Sequence, residues 1–370
     1  MTNILLESYQ DIPSFRLISS ILCSLKKYSD IGLRIKLTRY ITKADINWCD
    51  VFISLRGYSK LSEYLARQAI GHGKYLILDI DDDLLNVSYP KISKIIDRKN
   101  KESLRKIINM ANSLIVSNPY LGDKYSEKEQ NYCVVNTIVD ENEIVKREPL
   151  ESDSIKIVYP AHVGHRVFYD QYILPNMGRL YERYGDRLSY HFIGPNIKID
   201  DPRINVEYHD SMPYDIYNQY MIDNRFDIGV APLFDTEVCK CKYFNKYIEF
   251  SKYGICGAYS NLMPYTMVVK NEVNGLLVDN SVDSWYVALC KLIDLKDLRT
   301  SCLLNAQQQL RQEHNIDYVL TKLINDLPLM VTYISPELKV KSLKNMYLWF
   351  LYNALKRRLY SIRNMLSKKG

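Results

Sequence analysis

Three short stretches of this sequence gather side chains that can do chemistry. Lys242, Asn245, Lys246 and Glu249 fall within eight residues, and Lys242 lies about two helical turns before Glu249, which puts both on one face of a helix. An ammonium group so placed can stabilise charge that develops on a departing group, and the carboxylate can accept hydrogen bonds from paired hydroxyls. His162, His165 and Arg166 follow an apolar run at 155–159, where they can hydrogen-bond a ligand. Asp81, Asp82 and Asp83 follow the run 75–80, and an acid at a strand end can orient or deprotonate a hydroxyl. Each group also has a plainer reading. Lys246 and Glu249 have the spacing of a helix-surface ion pair, the two histidines suit a loop without a ligand, and several of the acids suit caps and solvated turns. Cys239 and Cys241 sit two apart with no nearby His or second Cys pair, so no metal is expected.

The same sequence shows what must position these groups. Apolar runs of strand length near 4–6, 35–37, 51–54, 75–80, 113–116 and 133–135 alternate with helix-period segments such as 14–27, 59–70 and 103–110. A second series lies near 155–159, 188–193, 228–231, 256–259 and 275–278. This alternation predicts an α/β architecture with parallel sheets. Residues 147–154 are mostly polar, contain Pro149 and lack periodicity, which marks a linker. A chain of 370 residues suffices for two domains with separate cores, expected at 1–148 and 149–330, with a further segment at 331–370. Two such halves form a cleft at the carboxyl ends of their strands, where ligands bind in doubly wound folds.

The net charge of +6 comes from 49 Lys and Arg against 43 Asp and Glu, and it is unevenly spread. Nine bases and no acid follow Glu337, leaving 40 against 43, or −3, for the remainder. A slightly acidic body argues against nucleic acid as a partner. In the tail, Leu343, Met346, Tyr347, Phe350, Leu351 and Leu355 recur mostly three or four apart between basic flanks, and Ser335-Pro336-Glu337 reads as a helix start. A basic amphipathic helix on an anionic membrane surface is expected; the alternative packs this helix across the first half. Eight scattered cysteines suit a reducing compartment, no signal core is present at the start, and no apolar run approaches ~20 residues. These features predict a cytoplasmic protein, peripheral at the inner face of the cell membrane.

The stretch 226–278 resembles a known family. It runs Phe226-Asp-Ile-Gly-Val-Ala-Pro-Leu233, Lys242-Tyr-Phe-Asn-Lys246-Tyr-Ile-Glu249, Gly254-Ile-Cys-Gly-Ala-Tyr-Ser260 and Asn274-Gly-Leu-Leu-Val278. Four elements in this order resemble the donor domain of glycosyltransferase family 4 and related bacterial surface-polysaccharide glycosyltransferases. The resemblance implies the GT-B fold, two Rossmann-like domains facing a cleft. It implies transfer of a sugar, with retention, from a nucleotide-sugar to a glycan or lipid-linked acceptor in surface polysaccharide biosynthesis. Glu249 would take the ribose hydroxyls and Lys242 the diphosphate as a catalytic cation, with Asn245 and Lys246 also on the donor. Helix N-terminal amides add positive potential, so neither metal nor cofactor is expected beyond the donor itself.

Two further stretches add to the resemblance. Ile157-Val-Tyr-Pro-Ala161-His162-Val-Gly-His165 resembles the family's Tyr-x-Gly-x-x-x-His, with Ala161 in place of glycine; it implies a catalytic His165, with His162 and Arg166 on the donor. Gly194 reads as a turn glycine. Asp79-Ile-Asp81-Asp82-Asp83 resembles a motif of some surface-polysaccharide enzymes and implies a catalytic Asp81, with Asp82 and Asp83 on the acceptor side. Arg16, in Ser14-Phe-Arg16, joins them there. One position departs: many members carry a glutamate eight residues before the one matched by Glu249, and here it is Cys241. Three alternatives stand beside the transferase: a non-catalytic GT-B binding module, a sugar-nucleotide epimerase of the same fold, and a haloacid-dehalogenase-type phosphohydrolase suggested by Asp79-x-Asp81.

Overall fold

The computed structural model describes residues 1–87, 94–126, 130–146, 153–194 and 197–336. The linker expected around 147–154 and the basic tail from 337 therefore lie wholly or mostly outside the described residues. Two six-stranded sheets, parallel throughout, form the framework. The first contains β1 (Thr2–Ser8), β2 (Ile31–Leu37), β3 (Val51–Leu55), β4 (Tyr75–Ile80), β5 (Ser113–Val116) and β6 (Asn131–Val134), ordered β2-β1-β3-β4-β5-β6. The second contains β7 (Ile155–Pro160), β8 (Leu188–Ile193), β9 (Asn205–His209), β10 (Ile228–Ala231), β11 (Cys256–Ser260) and β12 (Leu276–Val278), ordered β12-β11-β10-β7-β8-β9. Strands such as β3 and β5 are buried along their whole length. Helices cover both faces of a parallel sheet, which is why these strands read as unbroken apolar runs.

Two elements escape that pattern. Strand β9 pairs only along β8 and leaves most of its residues exposed, so its polar sequence gives no apolar run. The helix expected at 103–110 starts earlier, at Lys94. Its buried residues are Ser103, Leu104, Ile107 and Ile108, and the preceding turns face solvent without an apolar stripe.

The chain crosses between the halves twice. On the return, helices Ile316–Asp326 and Leu329–Thr332 pack Val319, Leu320, Leu323, Leu327 and Met330 against Ile4, Leu6, Ile18 and Leu22 of the first half. Residues 316–330 thus belong with the first sheet rather than with the second domain in which the sequence reading placed them. Their apolar face completes the cover of that sheet. The two crossings are tied together at His314, whose ring N–H donates to Thr137 O (2.8 Å) while its carbonyl accepts from the Val139 amide (2.8 Å). Ser335, read as a helix cap, donates its hydroxyl to Asp50 Oδ1 (2.8 Å) just before β3. Ser335 therefore lies at the amino ends of the strands of the first sheet, opposite their carboxyl ends.

Under the carboxyl end of the first sheet lies a buried acid. Glu7 of β1 accepts hydrogen bonds from Ser54 (2.7 Å), Ser62 (2.7 Å) and Thr38. Burial raises its pKa, with the three hydroxyls opposing in part. A folded-state pKa above the unfolded one means stability that is full at low pH and is lost as pH rises through the folded value. Glu7→Gln, which keeps the shape without the ionisation, is therefore expected to gain on the wild type in Tm as pH rises from 5 to 9. Glu7→Ala, removing the acceptor shared by three hydroxyls, should cost roughly 3 kcal/mol. A Tm difference between Gln and wild type that is flat with pH would remove the buried-acid account.

Candidate active site in the interdomain cleft

A pocket of about 570 Å³ opens between the halves. From the first half it takes Pro13 and Ser14 after β1, Arg56 after β3, and Asp81 and Asp82 after β4. From the second it takes Pro160, Ala161, His162 and His165 after β7, Ile193 at the end of β8, Ala231, Pro232 and Leu233 after β10, and the segment from Lys242 to Glu249. Strands β1 and β3 in one sheet, and β7 and β10 in the other, are the neighbours where the winding direction reverses. Strand ends diverge at such points and leave room for a ligand.

Lys242, Asn245, Lys246 and Glu249 all face this pocket. Helix Asn245–Lys252 begins there without a side-chain cap, so its first amides are available to an anion. Lys246 is ion-paired to Glu249, and Arg56 is ion-paired to Asp81 (2.6 Å). Among the described residues Lys242 has no carboxylate at ion-pair distance, which leaves it as the uncompensated cation of the pocket lining. His165 packs on Phe168 (5.2 Å between centroids). Burial, then the charges of Lys242, His162 and Lys246, press its pKa down to about 4. At neutral pH it is an uncharged imidazole that can donate or accept one proton. His162 lines the pocket too, its Nδ1 accepting from the Gly164 amide (3.1 Å). The loop that carries both histidines is held against β8: Ala161 N–H donates to Ile193 O (3.0 Å). Gly194 (φ +95°) lies so close that a Cβ would stand 2.2 Å from Ala161 O, which accounts for glycine there.

The acidic motif divides. Asp81 receives Arg56 in a two-point contact (2.6 and 2.6 Å) and the Ser14 hydroxyl. Its oxygens are therefore occupied, and it forms no open pair with Asp79 of the kind a phosphohydrolase of the haloacid-dehalogenase type requires. Asp82 faces the pocket, accepting one hydrogen bond, from the Asp83 amide (2.9 Å). Burial raises its pKa and the Lys242 ammonium pulls it back in part. Asp83 does not reach the pocket. Fully buried, it takes Lys124 (2.9 Å), Tyr125 and both its oxygens hold Asn86 (3.0 Å). Two more expected residues point elsewhere: Arg16 is exposed and paired with Asp11 (3.0 Å), and Arg166 is paired with Asp170 one helical turn on (2.8 Å). Neither lines the pocket.

Cys241 also has a clear place. It is buried in the apolar cluster of the first half that includes Tyr125 and Leu121, and burial pushes its thiol up to about 12. It is a packing residue across the domain boundary. Next to it, Asn118 of the first half donates through Nδ2 to Lys240 O (3.0 Å) and Lys242 O (2.7 Å), while its Oδ1 caps a helix at Leu121 N (2.8 Å). Asn118 thus fixes the backbone of Lys242 from the opposite domain. Asn118→Asp keeps the capping oxygen but turns two donated bonds into repulsion between a carboxylate and two carbonyls. It is expected to lower turnover about tenfold with little change in nucleotide affinity. Unchanged turnover would show that Lys242 needs no support from the first half. Sequence reading passed over Asn118 and Arg56, and over Tyr217, Tyr243 and Tyr265, which also line the pocket. Arg56-Gly57 after a strand was a turn signal, but the left-handed backbone of Arg56 (φ 61°) is visible only in the fold.

No protein-family model matches the sequence, and no curated protein is similar enough to match. Solved structures are similar. Sucrose-phosphate synthase of Thermosynechococcus elongatus matches with a TM-score of 0.62 at 10% identity, over 90% of this chain and 100% of that one. HepE of Anabaena, solved with UDP and glucose, matches at 0.57 and 11%, over 89% and 99%. A Listeria monocytogenes protein described as a UDP-N-acetylglucosamine 2-epimerase matches at 0.54 and 7%, over 92% and 100%. Likeness at such identities establishes the architecture. The chain has the GT-B fold, as the motif at 226–278 predicted.

Proposed function

We propose that this protein is a glycosyltransferase that takes a sugar from a uridine-type nucleotide-sugar in the interdomain pocket. The observation that carries this reading is the convergence of Glu249 and Lys242, without an ion-pair partner among the described residues, on one cleft at the switch points of two sheets. HepE, of the same fold, holds UDP and glucose, which supports a uridine donor. Glu249 accepts from the ribose hydroxyls, and Lys242, with the first amides of helix Asn245–Lys252, meets the diphosphate and the charge that grows as the glycosidic bond breaks. No metal is needed in this scheme. His165, neutral, hydrogen-bonds the donor sugar or a phosphate oxygen. Because Asp81 is engaged by Arg56, Asp82 is the acid we assign to orienting the acceptor hydroxyl, with Asp81 holding Arg56 and Ser14 in place.

The finer parts of the reading rest on the sequence resemblance: a glycan or lipid-linked acceptor, retention of configuration and a role in surface polysaccharide synthesis. Membrane contact rests on the basic composition of residues 337–370. Turnover of UDP-glucose and UDP-N-acetylglucosamine by the full-length protein, followed as UDP release with and without glycan acceptors, tests the reaction class. Acceptor-dependent UDP release is expected. Formation of an epimer without an acceptor would instead assign the epimerase reaction that the same fold supports.

A further inference from the structure

Past Ser14, Asp81, Tyr243, Asn245 and Glu249, which line both spaces, the donor pocket continues into a second chamber of about 480 Å³. That size is within the range of small-molecule sites, roughly 300–1,000 Å³. Much of its wall is apolar: Leu17, Ile18 and Ile21 of helix Pro13–Tyr28, Ile115 of β5, Ile138 of the outward crossing and Ile248 of the second half. Lys252, the cation among the described lining residues, is ion-paired to Glu143 (3.3 Å). No uncompensated positive charge is therefore offered to a phosphate among those residues, and an anion there would lose its hydration without return.

One polar group stands out in this lining. Asp79 of β4 is 7% exposed, lines the chamber, and its carboxyl has no hydrogen-bond partner among the described residues. Burial, reinforced by the Asp81 charge, raises its pKa well above the ordinary carboxylate value. A carboxyl in this lining can hydrogen-bond a polar atom of a ligand. The chamber is thus a largely apolar space with the Asp79 carboxyl as a buried polar anchor for a hydroxyl.

We propose that this chamber binds a neutral alkyl or aromatic group of the sugar acceptor, with Asp79 anchoring one polar atom and the accepting hydroxyl held at the Asp82 rim of the donor pocket. The acceptor role rests on the transferase reading; the binding of a neutral apolar group does not. The probe is N-phenyl-1-naphthylamine, an uncharged aromatic fluorophore, titrated into the full-length protein. Saturable binding is expected, displaced by octyl β-D-glucoside below its micellar concentration and not by glucose. Leu17→Trp extends a half-buried wall residue into the space and should weaken the dye at least tenfold while the UDP-induced Tm shift persists. Should that variant lose its fold, Ile138→Trp, from another half-buried wall position, repeats the test. Failure of the dye to bind, or dye affinity untouched in a folded wall variant, overturns the chamber. Absence of any UDP-induced Tm shift in the wild type overturns the donor reading instead, so the two failures are told apart.

Discussion

Lys242→Met is expected to lower kcat for sugar transfer by about 10²–10³-fold, the scale of losing one preorganised stabiliser of transition-state charge, while the Kd for UDP rises only a few-fold. The reason lies in the charge arrangement of the pocket. Arg56 is neutralised by Asp81 and Lys246 by Glu249, so among the described lining residues Lys242 is the cation left to meet new negative charge on the diphosphate. That charge grows between ground and transition state, so the loss should appear mainly in kcat rather than in KM. Initial rates of UDP release across donor concentrations separate the two. A variant with unaltered kcat would move the leaving-group role away from Lys242.

Glu249→Ala should bind UDP about 100-fold more weakly, the effect of removing two charge-assisted hydrogen bonds worth roughly 1.5–3 kcal/mol each before compensation. At a UDP concentration 100 times the wild-type Kd, ligand stabilisation is about 2.7 kcal/mol, and it would shrink to about 0.4 kcal/mol in the variant. The sign is informative because the substitution also frees Lys246, which is paired to Glu249 in the unliganded fold. An additional free ammonium near the diphosphate would strengthen binding. Net weakening therefore points to the ribose contact, and net strengthening would show that Glu249 serves only to hold Lys246.

The parts of this molecule that could be read from its sequence are those whose physics is local. Parallel strands buried on both faces carry mostly apolar runs, so β4, β5, β8 and β10 appear where those runs lie. The residues from Lys242 to Glu249 share one short stretch of chain. Lys246 and Glu249 share a face because they lie three apart on helix Asn245–Lys252. Lys242 precedes that helix, rather than lying on it as its spacing suggested, and still lines the pocket. The edge strand β9 and the polar opening of helix Lys94–Ile108 carried no such signal. Residues that act across the fold were also hidden. Arg56, Asn118 and Ser14 come from three separate strand ends, and only the folded sheet brings them to Asp81 and Lys242. Charge type misled at Asp83 and Arg16, whose partners Lys124, Tyr125 and Asp11 decide their roles. Arg166 is different. Its partner Asp170 lies four residues on, and that spacing on a helix was itself evidence for a surface pair.

The most direct test of the account is a calorimetric comparison of UDP with 2′,3′-dideoxy-UDP on the wild type and on Glu249→Ala. The wild type should prefer UDP by about 100-fold, and the variant should bind the two nucleotides alike. Equal affinity of the wild type for both, or a preference that survives in the variant, would contradict the placement of a nucleotide ribose on Glu249.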